Sequence, residues 1–146
     1  MPILAGQKVT AGQLNRLQPK TYRAGVQTSA LTGPLTNADA PGIEVAFTTL
    51  APGATVTAQI VCDFDPTTTV GGLSSGRLWI DGVGVGEFAV YQQGPGTVGD
   101  RGSTPQTYRE VVPAAGAHTA KLVVTLATGM NLNVYSSLLL TVYEAV

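Results

Sequence analysis

The chain of 146 residues has one cysteine, one histidine and one tryptophan, and only 12 % of its residues are charged. Each scarcity removes a class of function. A single cysteine, Cys62, allows neither an intrachain disulfide nor a cysteine-based metal cage. A single histidine, His118, removes every multi-histidine metal site and leaves one candidate for general-base work. It falls at the start of a strand directly after a turn, where a structural or surface role is expected. Lys and Arg number 8 against 9 Asp and Glu, a net charge of −1, which makes no basic footprint for nucleic acid. No apolar run approaches the ~18–20 residues of a membrane helix, so no membrane insertion is expected. The N-terminal MPILAGQKVTAG has no basic region leading into a long apolar run and does not read as a signal peptide. A soluble protein of the cytoplasm, or one assembled there, is the expectation. Neither a nucleophile elbow nor a phosphate-cradling glycine loop occurs. The chain therefore reads as non-enzymatic, with no cofactor and no metal.

What the chain does have is apolar and turn-forming residues. The apolar share is 44 %, with 18 Gly, 9 Pro and 19 Thr, too apolar and too low in net charge for a disordered chain. The charged share is about half the usual ~25 %. Seven or eight short strands with turn signals every 8–12 residues predict an all-β, jelly-roll-like β-sandwich over residues 20–146. Residues 1–19 differ. Thr10 is a helix N-cap, Gln13 stands in the capping-box position and Pro19 is a stop. A two-turn helix with only Leu14 and Leu17 to bury is unstable alone and needs its own sandwich or a neighbouring subunit to pack on. The segment reads as a docking arm.

In the body, Ile43, Val45 and Phe47 alternate inward, as do Val56, Ala58, Ile60, Cys62 and Phe64. Cys62 is expected to be a small buried hydrophobe rather than a reactive thiol. Residues 32–42 read as a loop, as do 66–76 and 92–105. Asp81-Gly82 marks a hairpin turn. Ala120, Leu122, Val124 and Leu126 line one strand face. Asp63 and Asp65, at a strand end, read as solvent-facing carboxylates, since a calcium site would want a third acid nearby. Trp79 lies opposite Leu78 and Ile80 in the alternation. It caps the far side of a sheet or is exposed; exposed aromatics on a sandwich stack on sugar rings, which makes it a candidate ligand contact.

The final segment, LNVYSSLLLTVYEA, reads as the longest strand. Its even face carries Leu132, Val134, Leu138, Leu140 and Val142. Its odd face carries Tyr135, Leu139 and Tyr143, where one solvated face would be polar. Another part of the same chain covers that stripe, or a second subunit does, and Tyr enrichment slightly favours the subunit interface.

Two segments carry a resemblance. GQKVTAGQLNRLQP, through Gly6, Val9, Thr10, Ala11, Leu14 and Asn15, resembles the start of many bacteriophage tail and virion structural proteins. PAAGAHTAKLVVTLATGMNLNVYSSLLLTVYEA resembles the last two strands of trimeric jelly rolls of the tumour-necrosis-factor-like or complement-like type. Together they cover about 45 of the 146 residues. The resemblance implies a homotrimeric, tail-associated virion protein assembled in the host cytoplasm. Val9, Leu14 and Leu17 would then dock it to other virion proteins. A capsid decoration protein is the alternative. A carbohydrate-binding module meeting a host-surface glycan through Trp79 and tyrosines is a second.

Overall fold

Strict alternation of apolar and polar side chains builds two sheets that share one core. The computed structural model describes residues 8–24, 29–69, 71–94 and 98–145, so Gly6 and the first seven residues of the arm lie outside the described residues. The elements are α1 (Ala11–Leu17), β1 (Lys20–Ala24), β2 (Leu31–Thr32), β3 (Leu35–Thr49), β4 (Ala54–Pro66), β5 (Gly72–Ile80), β6 (Val83–Gly84), β7 (Ala89–Gln93), β8 (Gly102–Val112), β9 (Gly116–Leu126), β10 (Met130–Leu132) and β11 (Ser137–Tyr143).

Sheet A runs β1–β11–β4–β8, with β10 continuing beside β4 and β2 added to β10. Sheet B runs β3–β9–β5, and β7 and β6 share the far edge of β5. The antiparallel pairs β1·β11, β3·β9, β4·β8 and β5·β7 are nested in sequence. A long hairpin wound around a common core gives that nesting, and the result is a jelly roll. The expected all-β sandwich with a short helical arm is the fold observed.

The core lies between the sheets. Ile60, Cys62, Phe64, Leu78, Leu122, Leu138 and Leu140 are fully buried, and Val124 nearly so. Sheet A comes close to sheet B where Cys62 of β4 meets Gly76 of β5. A Cβ at Gly76 would stand 2.3 Å from Cys62 Sγ and 3.2 Å from a Leu122 methyl. Asp81 and Gly82 both take positive φ, 50° and 80°, the geometry of a tight hairpin turn that Asp-Gly favours.

Three expectations are corrected. Residues 35–42, read as part of a loop, are the first half of β3. Register shifts between Leu35 and Ala38 and between Asp39 and Glu44 absorb Asn37 and Gly42, both at positive φ. The partner β9 supplies an apolar ladder long enough to hold a bulged strand whose own sequence reads as turn. The final segment is not one strand. Residues 133–136 turn between β10 and β11, because the Ser136 hydroxyl donates to the Asn133 carbonyl at 2.9 Å and accepts from the Asp63 N–H at 3.0 Å. Both pieces pair with β4, at Phe64–Pro66 and at Thr55–Val61. The loops are also shorter than expected, since β5 starts at Gly72 and β8 at Gly102. Pro105 is accommodated in β8 because that strand is an edge.

Burial pushes the Cys62 thiol up to a pKa of about 12. Native protein at neutral pH should therefore resist thiol reagents, with labelling at the rate of global unfolding; fast native labelling would contradict the packing. Gly76→Ala should destabilise by about 1–3 kcal/mol in denaturant titration, the usual cost of overpacking. Adding Cys62→Ala should recover part of that loss.

Candidate functional site: the exposed arm and the outer face of sheet A

Helix α1 is built as its sequence directs. Gln13 N–H donates to Thr10 Oγ1 at 3.2 Å, and Thr10 N–H donates to Gln13 Oε1 at 2.9 Å, which completes the capping box. No residue of the helix is buried. Leu14 is 54 % and Leu17 45 % exposed, and Val9 just before the helix is exposed as well. The arm thus presents its apolar side chains without packing them on the sandwich.

The outer face of sheet A is the second surface. Its rows follow from the register: Arg23, Leu139, Gln59 and Thr107 form one, and Thr21, Thr141, Thr57 and Arg109 the next. Tyr143, Thr55 and Val111 form a third. Leu139 (42 %), Tyr143 (45 %) and Val111 (63 %) are exposed on it. These rows hold two guanidinium groups and no carboxylate. Two depressions mark the face, about 310 Å³ lined mainly by Thr57, Gln59, Thr107, Leu139 and Thr141, and about 370 Å³ lined by Thr55, Thr57, Arg109 and Tyr143.

The three-residue stripe read from the sequence does not form. Tyr135 sits in the turn before β11 rather than on it, because Ser136 breaks the strand. Its ring lies under the Arg101 guanidinium, 4.7 Å from the carbon to the ring centroid. Of the three, Leu139 and Tyr143 alone share the outer face of β11.

Trp79 is half-buried on the outer side of sheet B, opposite Gly84 of β6. The indole N stands 3.1 Å from where a Gly84 Cβ would be, beside the Arg77 guanidinium. The indole thus lies near the backbone of the β5–β6 hairpin and keeps part of its surface open.

The reactive groups are committed elsewhere. Asp63 is not solvent-facing: it is 1 % exposed and accepts a bidentate pair from Arg101, through Nε at 2.8 Å and through NH2. The sequence offers no signal for this, because Arg101 is 38 positions away in a glycine-rich loop. Asp65 accepts from Asn133 Nδ2 at 3.1 Å. Among the described residues no group of three His, Cys, Asp or Glu side chains is placed to hold a metal.

His118 is buried and stacks on Phe47 at 5.2 Å. Its Nδ1 lies 2.7 Å from Asp81 Oδ2, and its Nε2 lies 3.1 Å from Thr49 Oγ1 and 3.2 Å from the Ala114 carbonyl. Asp81 Oδ1 also accepts from Thr119 N–H at 2.9 Å. Thr, His and Asp meet here in the order of a catalytic triad, but Thr49 is 2 % exposed and its hydroxyl donates to the Ala114 carbonyl. The cluster ties together the end of β3, the β5–β6 turn and the β8–β9 turn.

No protein-family model matches the sequence, and no curated protein sequence matches it. Among solved structures, latent PorU from Porphyromonas gingivalis is 12 % identical with a TM-score of 0.49, over 86 % of this chain and 13 % of that one. The T13 particle of IBDV is 16 % identical with a TM-score of 0.47, over 86 % of this chain and 31 % of that one. The CBM36-1 domain of a xylanase from a Trinervitermes trinervoides hindgut metagenome is 18 % identical with a TM-score of 0.37, over 83 % and 96 %. This chain spans less than a third of the first two. These likenesses are of backbone course and assign no role to this chain.

Partial desolvation works against the Asp81 carboxylate, but hydrogen bonds from His118 and Thr119 and the attraction of His118 outweigh it and lower its pKa. A lowered folded-state value stabilises fully above the unfolded pKa, near ~3.9, and the contribution is lost as pH falls through the folded value. Asp81→Asn should therefore lower the denaturation midpoint at neutral pH, with the gap to wild type narrowing below about pH 4. Parallel pH profiles would exclude this role for Asp81.

Proposed function

We propose that the chain is a non-enzymatic structural subunit of a bacteriophage particle, tail-associated, which forms a homotrimer and is attached to its neighbours by its N-terminal arm. The observation that carries this reading is the arm itself: a capped helix with no buried residue, holding Val9, Leu14 and Leu17 out of the sandwich. A two-turn helix gains too little from its own hydrogen bonds to persist in water, so its apolar side has a partner. The outer face of sheet A supports the self-assembly. Two Arg, six Thr or Gln and three exposed apolar side chains stand on it with no carboxylate, in keeping with the enrichment of Arg and Tyr and the depletion of Asp and Glu at interfaces.

Capsid decoration is the same chemistry at a different place on the particle, and labelling of intact particles distinguishes the two. A carbohydrate-binding module using Trp79, half-buried on the outer side of sheet B, is the second alternative, and tryptophan fluorescence titrated with cell-wall sugars tests it.

A charge placed at Leu139 would have to be desolvated in such an interface, with only Arg23 of its own row beside it. Leu139→Asp should raise the concentration for half-assembly about tenfold or more in light scattering, with the thermal midpoint nearly unchanged because the side chain is exposed in the single subunit. A trimer unaffected by this change would move the interface elsewhere. Deleting residues 1–19 should leave a folded sandwich that no longer sediments with particles; an unfolded product would make the arm part of the core.

A further inference from the structure

The arm and the body carry opposite charge. Residues 1–19 hold Lys8 and Arg16 and no acidic side chain; all nine acidic residues lie in the body, against six basic ones, beginning with Asp39. The body therefore offers a cationic, apolar arm an acidic partner of the same sequence.

One cleft on the body combines apolar walls with acidic side chains. Between the β8 edge of sheet A and the β5–β6 hairpin of sheet B lies a cavity of about 300 Å³. Its walls are mainly Ile80, Val83, Val85 and Val111, and its rim carries Asp81 and Glu110. Val83 and Val111 are 64 % and 63 % exposed, so the apolar walls are open to an incoming side chain. The nearby Arg77 is turned away from this role, with Nε donating to the Val85 carbonyl at 3.3 Å and its guanidinium stacked on Phe88.

The register gives the direction of the contact. Lys20, Val142, Val56 and Glu110 are one row across sheet A. The arm leaves at the β1 edge and the cleft opens at the β8 edge, at the same end of the sheet and three strand spacings, about 14 Å, apart. Placing the β1 edge of one copy beside the β8 edge of the next would bring arm to cleft. Such a head-to-tail contact repeats around a closed ring when its rotation closes.

We propose that the arm of one subunit seats in this cleft of a second copy, with Leu14 and Leu17 against Val83 and Val111 and with Arg16 beside Glu110. The inference rests on the reading of the chain as a self-assembling subunit and names the neighbour to which the arm attaches.

A mixing experiment tests it. A Leu14→Cys chain is combined with a Val83→Cys chain, and a short flexible bis-maleimide is added; Cys62 does not compete because it is fully buried. The expected result is a covalent dimer holding one chain of each kind. Leu14→Asp should separately raise the concentration for half-assembly about tenfold or more, while the thermal midpoint stays near that of wild type. An internally linked monomer from a chain carrying both cysteines, in place of the mixed dimer, would assign the arm to its own cleft and overturn the proposal. A trimer that persists without the crosslink, or protection of a Leu14→Cys thiol only in complete particles, would also overturn it and leave the virion reading intact. A chain that stays monomeric at every concentration and gives no crosslink would remove both.

Discussion

Strand β4 is the constraint on which the rest of the sandwich depends. It is hydrogen-bonded along Ala54–Phe64 to β8 on one side and to β11 and β10 on the other. Its inward residues Val56, Ile60, Cys62 and Phe64 are at most 1 % exposed. A one-residue slip would send all of them to the outer face, so the register of β4 sets that of three neighbours at once. The inter-sheet contact of Cys62 over Gly76 needs the absence of a side chain on β5.

The few charged groups are used where regular strand pairing runs out. Asp63 is held by Arg101 near the β10–β11 turn, and His118 with Asp81 pins the opposite end. Glu144 accepts from the Leu50 N–H at 2.9 Å, joining the chain end to the β3–β4 turn. A buried carboxylate without its partner costs roughly 3–5 kcal/mol, so Asp63 is a strong constraint on the loop that carries Arg101. Surface pairs such as Lys121 with Asp39 add at most about 1 kcal/mol. Scarcity of charge elsewhere leaves the three outer rows of sheet A without a carboxylate, and α1 has no buried residue.

Candidate site residues divide by how local their signals are. Thr10 and Gln13 were readable because a capping box is a contact between residues three apart. Exposure of Leu14 and Leu17 was not, since the same pair would equally serve a helix packed on its own sheet. The Leu139 and Tyr143 pair survives from the odd-face pattern, whereas Tyr135 does not. Period-2 counting assumes an unbroken strand, and the break comes from a hydroxyl bond between Ser136 and the backbone of Asp63, far away in sequence.

By itself the sequence determined the fold class, the helix cap, the Asp81-Gly82 turn and most of the core, because period-2 alternation and turn chemistry act over a few residues. Only the tertiary structure decided that residues 35–42 are a bulged strand, since β9 supplies the hydrogen-bond partners that their own Gly, Pro and Asn do not announce. It alone decided the nested pairing of the jelly roll, the burial of Asp63 and the His118 cluster, all of which join residues tens of positions apart. It also decided where the arm leaves relative to the cleft: that depends on the register of four strands read across the sheet, and no one strand carries it.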